Sequence, residues 1–394
     1  MVLPVLWICG PPGVGKTTVA WEMYSQATRG GRGAVGYVDI DQLGMCYPAP
    51  ATDPGRHRLK ARNLGAVAAG FRAAGVRCLI VSGVVDPAGG VRPEDVPQAA
   101  VTVCRLRADR EVLRQRFLGR GGPAGLVDAV LREADALDAS DFADACVDTG
   151  GLRVGEVARL VGERMGGWPA PADGRWVAAE VGPPPPQTAD VERVPVLWLC
   201  GATGVGKSTV GFEVFQRVLR AGVVAAYLDL DQLGFRHPVP DDDPLHHRLK
   251  ARNLGAVWRT YRAAGAQCLI LSGPVEDEAT AAAYAKALPD ARWALYRLHA
   301  GPDALTRRVM SRAGGGSWDQ PGDPLRGRSE AELLRVADRA VASAAALDAA
   351  GVGERRIATD GRTAAEVAEA VLADPDVLGG LLTMGRHLLN GELS

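Results

Sequence analysis

The feature that most constrains this chain is an internal duplication. Residues Gly10 to Thr17, GPPGVGKT, return as Gly201 to Ser208, GATGVGKS, each directly behind an apolar run ending in Trp-Ile-Cys or Trp-Leu-Cys. YVDIDQLG (Tyr37 to Gly44) returns as YLDLDQLG (Tyr227 to Gly234), and HRLKARNLGAV is identical at His57 to Val67 and His247 to Val257. RAAGVRCLIVSG (Arg72 to Gly83) returns as RAAGAQCLILSG (Arg262 to Gly273), after which the likeness loosens. A repeat of about 190 residues is far longer than a solenoid unit and marks a duplicated domain. Any fold for this chain must therefore be built twice.

Both eight-residue segments fit G-x-x-x-x-G-K-[ST] between a buried strand and a helix that starts near Val19 and Val210. Glycines let successive backbone N–H groups converge on one anion, and the helix adds its positive N-terminal end. The alternative, a glycine turn with a surface lysine, does not explain why strand, loop, Lys-Thr/Ser and helix start recur together. Two nucleotide sites are expected. One involves Gly10, Gly13, Val14, Gly15, Lys16, Thr17 and Thr18, the other Gly201, Gly204, Val205, Gly206, Lys207, Ser208 and Thr209. Lys16 and Lys207 are expected to reach the β- and γ-phosphates, and the Thr17 and Ser208 hydroxyls to ligate Mg²⁺.

The lysines sharpen this reading. Of 45 basic residues only five are lysine, and four of them, Lys16, Lys60, Lys207 and Lys250, are equivalent between the halves. An ammonium kept in an arginine-rich chain points to a geometry that a guanidinium fork does not satisfy. The formal charge of −1 gives no basic field for nucleic acid, and no apolar run approaches the roughly 18 residues of a membrane span. The first strand begins at the N-terminus, so no signal peptide is expected. Seven cysteines without metal-ligand spacing read as buried core residues, with cytoplasmic residence as the default.

Apolar runs at Val5 to Cys9, Val35 to Ile40, Cys78 to Val81 and Val101 to Leu106 alternate with helical stretches. They repeat at Val196 to Cys200, Ala225 to Leu230, Cys268 to Leu271 and Trp293 to Leu298. The expected fold class is α/β, with two tandem domains, each a mostly parallel sheet with helices on both faces. The expected boundaries are 1–165 and 194–375. Between them lies a Pro-rich linker, 166–193, whose Pro183 to Pro186 favour an extended spacer, and 376–394 follows as a tail with amphipathic helical character.

The pairs Asp39/Asp41 and Asp229/Asp231 have period-two spacing, expected to set both carboxylates on one side of a strand at its carboxyl end. That is the rim where ligands bind in open parallel sheets. Such carboxylates can hold Mg²⁺ or accept a proton from an attacking hydroxyl, whereas a lone Asp there equally well caps a turn. In the helix that follows, Leu64, Val67 and Phe71 form an apolar line, and extending it back by four residues lands on Lys60; Lys250 is its counterpart. Arg58 and Arg62, with Arg248 and Arg252, share another face and can fork an anion. Ser82-Gly83 and Ser272-Gly273 end the third strand without an acid directly before them, although Asp86 and Glu276 lie a little beyond. Arg116 and Arg120, and Arg308 and Arg312, stand four apart on helices leading into glycine-rich loops. They are candidate lid arginines, and Gly314 to Gly316 with Ser317 to Gly327 suggest a larger second lid.

These motifs resemble the P-loop small-molecule kinases over nearly all of each half. Phosphate loop, D-x-D, arginine-bearing helix and Ser-terminated strand are similar to those of adenylylsulfate kinase. The shikimate, gluconate and chloramphenicol phosphotransferase families share the plan, including an R-x-x-x-R lid. DTGG (Asp148 to Gly151) and TDGR (Thr359 to Arg362) resemble the adenine-side loop. The resemblance implies two P-loop NTPase domains and γ-phosphoryl transfer from ATP, with Mg²⁺, to a hydroxyl of a small-molecule acceptor.

By that resemblance Lys16, Asp39, Asp41, Arg116, Lys207, Asp229, Asp231 and Arg308 are catalytic, and Thr17, Asp39, Ser208 and Asp229 organise the metal. Arg58, Lys60, Arg62, Gly83, Arg248, Lys250, Arg252 and Gly273 face the acceptor. The signatures that fix adenylylsulfate as substrate are absent, so only the reaction class carries over. The rival is an ATP-binding regulatory switch or slow ATPase; in a third reading one half is catalytic and the other supports it. An internal pseudo-dimer in place of a homodimer is an analogy only.

Overall fold

In the computed structural model, which describes residues 2–31, 33–97, 99–167, 193–312, 325, 328–353 and 355–374, the apolar runs become the strands of two sheets. The first half of the sequence forms β1 (Leu3–Cys9), α1 (Lys16–Arg29), β2 (Val35–Asp39), α2 (Ile40–Leu43), β3 (Cys46–Tyr47) and α3 (His57–Ala73). It continues through β4 (Cys78–Ser82), β5 (Ala99–Arg107), α4 (Arg110–Gly119), α5 (Val127–Asp138), β6 (Ala145–Asp148) and α6 (Val154–Arg164). The second half forms β7 (Val194–Cys200), α7 (Lys207–Arg220), β8 (Ala225–Asp229), β9 (Arg236–His237), α8 (His247–Ala263) and β10 (Cys268–Ser272). Then come α9 (Glu278–Ala287), β11 (Ala291–His299), α10 (Pro302–Arg312), α11 (Glu330–Ala349), β12 (Arg355–Ala358) and α12 (Ala364–Leu372).

The first sheet has the order β6-β5-β1-β4-β2-β9 and the second β12-β11-β7-β10-β8-β3. Within each, five strands are parallel and the last, two residues long, is antiparallel. β1 and β7 lie in the middle of their sheets, with Trp7 level with Val81 and Val103, and Trp198 level with Leu271 and Leu295. Burial on both faces is what a parallel sheet needs, and Val5, Leu6, Ile8 and Cys9 are fully buried. Helices α1 and α6 cover one face, where Val19, Ala20, Val157 and Val161 join Leu6 and Ile8 in one core. The line Leu64, Val67, Phe71 of α3 is wholly buried. Each unit is thus a P-loop type α/β sandwich.

The compact units differ from the expected boundaries. The first comprises Met1–Gly44, Ala51–Pro184 and Gln232–Leu249; the second comprises Met45–Pro50, Pro185–Asp231 and Lys250–Ser394. β9 therefore belongs to the first sheet and β3 to the second, a pairing that two-residue strands, too short for any periodicity, do not announce. β6 and β12, four residues each with mixed burial, were likewise not among the expected strands. Pro183 to Pro186, the 376–394 tail and the Gly314 to Gly316 loop lie outside the described residues. All seven cysteines are free; six are buried, as expected of core residues, and Cys146 is half-buried. No described helix is long and apolar enough to cross a membrane.

The turn after β4 fixes the floor of the site. Gly83 has φ 145°, and a Cβ there would lie 2.0 Å from Ile40 Cγ2. Gly83→Ala is therefore expected to push α2 away from β4 and to cost about 2–3 kcal/mol, read as a lowered urea midpoint.

Candidate functional site

Each phosphate loop springs from the carboxyl end of its central strand. Gly15 and Gly206 cap α1 and α7 in left-handed conformations, φ 101° and 103°, so the helices begin at Lys16 and Lys207 with their backbone N–H groups facing the loop. Val14 and Val205 are buried beneath the loops, while Thr18 and Thr209 are exposed on the first helical turn. Lys207 Nζ donates to the Gly201 and Ala202 carbonyls at 2.9 and 3.0 Å. Both loops thus deliver a helix N-terminus at the end of the central strand.

The D-x-D pairs come together by a route other than strand alternation. Asp39 is the last residue of β2, and Asp41 lies in the first turn of α2. The Asp41 backbone N–H donates to Asp39 Oδ1 at 2.9 Å, an N-cap that folds the chain back on itself. Asp231 and Asp229 repeat the turn at 3.0 Å. The turn-capping reading of this motif is thus realised. Asp39 Oδ2 accepts from Thr17 Oγ1 at 3.2 Å and Ser82 Oγ at 3.2 Å, tying the phosphate loop, β2 and β4 to one carboxylate. Ser82 has one proton, so Tyr37, 2.9 Å away, is the donor to Ser82 Oγ. In the second unit Ser208 and Ser272 reach Asp229 Oδ2 at 2.7 and 3.1 Å.

Lys60 points inward as its place on the α3 apolar line predicts. It is 5% exposed and donates to Asp41 Oδ1 at 2.8 Å; Lys250 does the same to Asp231 at 2.6 Å. These two lysines, expected at the acceptor, hold the second carboxylate of each pair. A single compact ammonium fits that buried space, which accounts for lysine in an arginine-rich chain. Asn63, fully buried, donates to the Leu43 carbonyl at 2.6 Å and secures the end of α2. Its signal was present in the identical HRLKARNLGAV segments, but only its neighbours were singled out.

Electrostatics separates the two carboxyls of the first unit. Burial, then the neighbouring Asp41, pushes Asp39 up to about 6 against the pull of Lys16. Burial also pushes Asp41 upward, but Lys60 and Lys16 outweigh it and hold that carboxyl below its ordinary value. Burial, then the Lys60 charge, lowers His57. Desolvation lowers the Lys207 ammonium, opposed by Asp231 and Asp229. Burial raises Glu133 of α5, on which Lys16, Asp41 and Lys60 all act. Glu133 was not a sequence candidate, because one glutamate on a helix carries no spacing signal.

The arginines divide differently from expectation. Arg116 donates from Nη1 to Thr149 Oγ1 at 2.8 Å and the Val14 carbonyl at 3.4 Å, and from Nη2 to the Thr149 carbonyl at 3.0 Å. Arg308 does the same with Thr359 and Val205. These contacts brace the loop after β6 or β12 against the phosphate loop; they are struts rather than a lid closing over phosphates. Arg120 ends α4 with its guanidinium 5.5 Å from the Phe117 ring centre, and Arg312 ends α10, its charge felt at Lys207. Arg62 approaches Asp95 at 3.4 Å, and Arg252 is exposed on α8. Gly83 and Gly273 donate their N–H groups to the carbonyls of Ile8 and Leu199.

The first unit has a cavity of about 260 Å³, lined by Trp7, His57, Arg58, Val84, Asp86 and Arg92 among others. One of its lining residues, Val84, directs its N–H toward Asp41 Oδ1 at 3.5 Å.

The hydroxyl and carboxylate oxygens of Thr17 and Asp39, and of Ser208 and Asp229, form a hard donor set that fits Mg²⁺. Among the described residues no group of three or more His, Cys, Asp or Glu could hold a metal alone. That suits an ion shared between protein, water and substrate phosphates.

No protein-family model matches the chain, and no curated protein does. The chain is similar to the solved structure of a Deinococcus radiodurans tunicamycin resistance protein, at 24% identity over 42% of this chain and 96% of that one, with TM-score 0.32. It is similar to a gluconokinase from Sinorhizobium meliloti 1021, at 18% identity over 51% and 99%, TM-score 0.31. It is also similar to the Mycobacterium tuberculosis APS kinase in complex with AMPPNP and APS, at 21% identity over 48% and 99%, TM-score 0.29.

Asp39 must ionise to serve a cation, so Mg²⁺-dependent nucleotide affinity at the first site is expected to fall about tenfold per pH unit below about 6. Calorimetric titration with Mg²⁺ and a non-hydrolysable ATP analogue across this range reads it, with an EDTA series showing no such fall. The folded chain holds this proton more tightly than the unfolded one. Its contribution to stability in the free protein is thus fully present below the ordinary carboxyl value and lost as pH rises through about 6.

Proposed function

We propose that the chain is an ATP-dependent phosphotransferase that moves the γ-phosphoryl group of ATP to a hydroxyl of a small molecule. The observation that carries this reading is the placement of Asp41. It is a carboxylate kept ionised by Lys60, and Val84, whose N–H approaches it, lines a cavity of acceptor size. A nucleotide-hydrolysing switch has no need of such a cavity.

In this mechanism the loop N–H groups and Lys16 would hold the ATP phosphates, and Thr17 and Asp39 would hold Mg²⁺, whose charge would offset that of the phosphates. Asp41 accepts a hydrogen bond from the acceptor hydroxyl and aims its oxygen at the γ-phosphorus. As the new O–P bond forms, the bond from the γ-phosphorus to the bridging oxygen of ADP breaks, and the hydroxyl proton passes to Asp41. A carboxylate with a lowered pKa is a weak base. Its contribution is chiefly orientation, which suffices for a loose transition state in which the proton leaves late. Lys60 keeps Asp41 ionised and fixed, and the Tyr37–Ser82 relay fixes Asp39.

The test is an ADP-release screen with Mg·ATP across sugars, hydroxy acids, nucleosides and hydroxylated antibiotics, with mass spectrometry for the phosphorylated product. Acceptor-dependent ADP release is expected. Asp41→Asn should lower it by about a hundredfold or more, whereas bound nucleotide with no acceptor-dependent release across the library would instead support the switch. Lys60→Met should remove most of the activity too, and Lys60→Arg should not restore it, because the guanidinium fork does not fit the buried ammonium site.

A further inference from the structure

The two halves preserve their phosphate loops, D-x-D turns and inward lysines but diverge on the acceptor side. We propose that only the first unit transfers phosphoryl to an acceptor, while the second binds nucleotide with its acceptor side closed. This rests on the phosphotransferase reading above and assigns the acceptor to one of the two sites.

Three differences support it. The first is at the head of α3 and α8. The Arg58 guanidinium has no carboxylate partner among the described residues, and Arg58 lines the cavity. Its counterpart Arg248 is gripped by Asp242 through two hydrogen bonds of 2.8 and 2.6 Å, with Asp243 also at 3.5 Å. The position of Asp242 is taken in the first half by Thr52, which has no charge to offer. A guanidinium already forked by a carboxylate has no bidentate face left for a ligand.

The second difference lies against the central tryptophan. In the first unit Trp7 is a wall of the cavity, closed on the far side by the 86–95 segment, which supplies Asp86 and Arg92. In the second unit helix α9 replaces that segment: Gly65 faces Asp95–Pro97, and its counterpart Gly255 faces Ala287 of α9. Tyr284 of α9, fully buried, stands edge-on to Trp198 with ring centres 4.9 Å apart, and Trp293 packs at 5.9 Å. An aromatic side chain thus packs on Trp198, whereas Trp7, itself buried, contributes to the lining of the cavity.

The third is Glu133. The ion pairs Arg105–Asp138 and Arg297–Asp348 fix the register between α5 and α11, and in that register Glu133 corresponds to Ser343. The carboxyl that shares its surroundings with Lys16, Asp41 and Lys60 has no counterpart at that position of the second half. An available guanidinium and an extra carboxyl both lie on one side of the duplication.

The experiment swaps the divergent position in the full chain. Wild type, Thr52→Asp and Asp242→Thr are incubated with ATP radiolabelled in its γ-phosphate and the mixed library of sugars, hydroxy acids, nucleosides and antibiotics. Label transfer is counted, and the acceptor KM is then measured for the compound that takes up label. Both substituted residues are exposed, so both variants should fold. Thr52→Asp, pinning Arg58 as Asp242 pins Arg248, is expected to lower transfer about tenfold or more through the acceptor KM, leaving the ATP KM unmoved. Asp242→Thr is expected to leave transfer as in wild type. Undiminished transfer in Thr52→Asp, or a substantial change in Asp242→Thr, overturns the proposal while leaving the phosphotransferase reading in place. Absence of label transfer in the wild type itself overturns that reading, and this proposal with it.

Discussion

The structure of each site depends on a carboxylate buried at the carboxyl end of a parallel strand. Asp39 accepts hydrogen bonds from the phosphate loop, from β4 and from the backbone of its own following turn. Asp229 accepts the same three. A buried carboxylate with only one partner would be costly; with three donors it becomes the point that sets loop, sheet and turn relative to one another. Desolvation is offset incompletely, and Asp39 retains a raised proton affinity that a cation would discharge.

The neighbouring carboxyl shows how a two-residue shift in sequence changes chemistry. Asp41 lies in a helical first turn, and the ammonium of Lys60 outweighs the cost of its burial. One carboxyl therefore holds its proton more tightly than an ordinary carboxyl, and the other less tightly. Pairs of titratable groups pushed apart in this way mark sites where charge is handled. The two halves differ here as well, with the Arg58 guanidinium available and Arg248 gripped by Asp242.

Much of this was legible in the sequence because its signals are local or repeated. The phosphate loops have fixed spacing, the parallel strands are long apolar runs, and the inward direction of Lys60 follows from a four-residue step along α3. What stayed hidden depends on long-range geometry. β3 and β9 are too short for a pattern, and Asp39 and Asp41 meet through a capped turn where strand alternation was expected. Arg116 and Arg308 have lid-like spacing, yet their guanidiniums are directed by Thr149 and Thr359, over thirty residues further along in the first half and about fifty in the second. Glu133 and the Tyr284–Trp198 contact are set wholly by packing, which no spacing rule reports.

On the phosphotransferase proposal, the duplication gives two working nucleotide cradles. Calorimetric titration of the full chain with Mg²⁺ and a non-hydrolysable ATP analogue tests it most directly. Two nucleotides per chain are predicted, with Lys16→Ala and Lys207→Ala each removing one binding event and leaving the other. A wild-type stoichiometry of one or none would contradict the account, as would loss of both binding events on either single substitution.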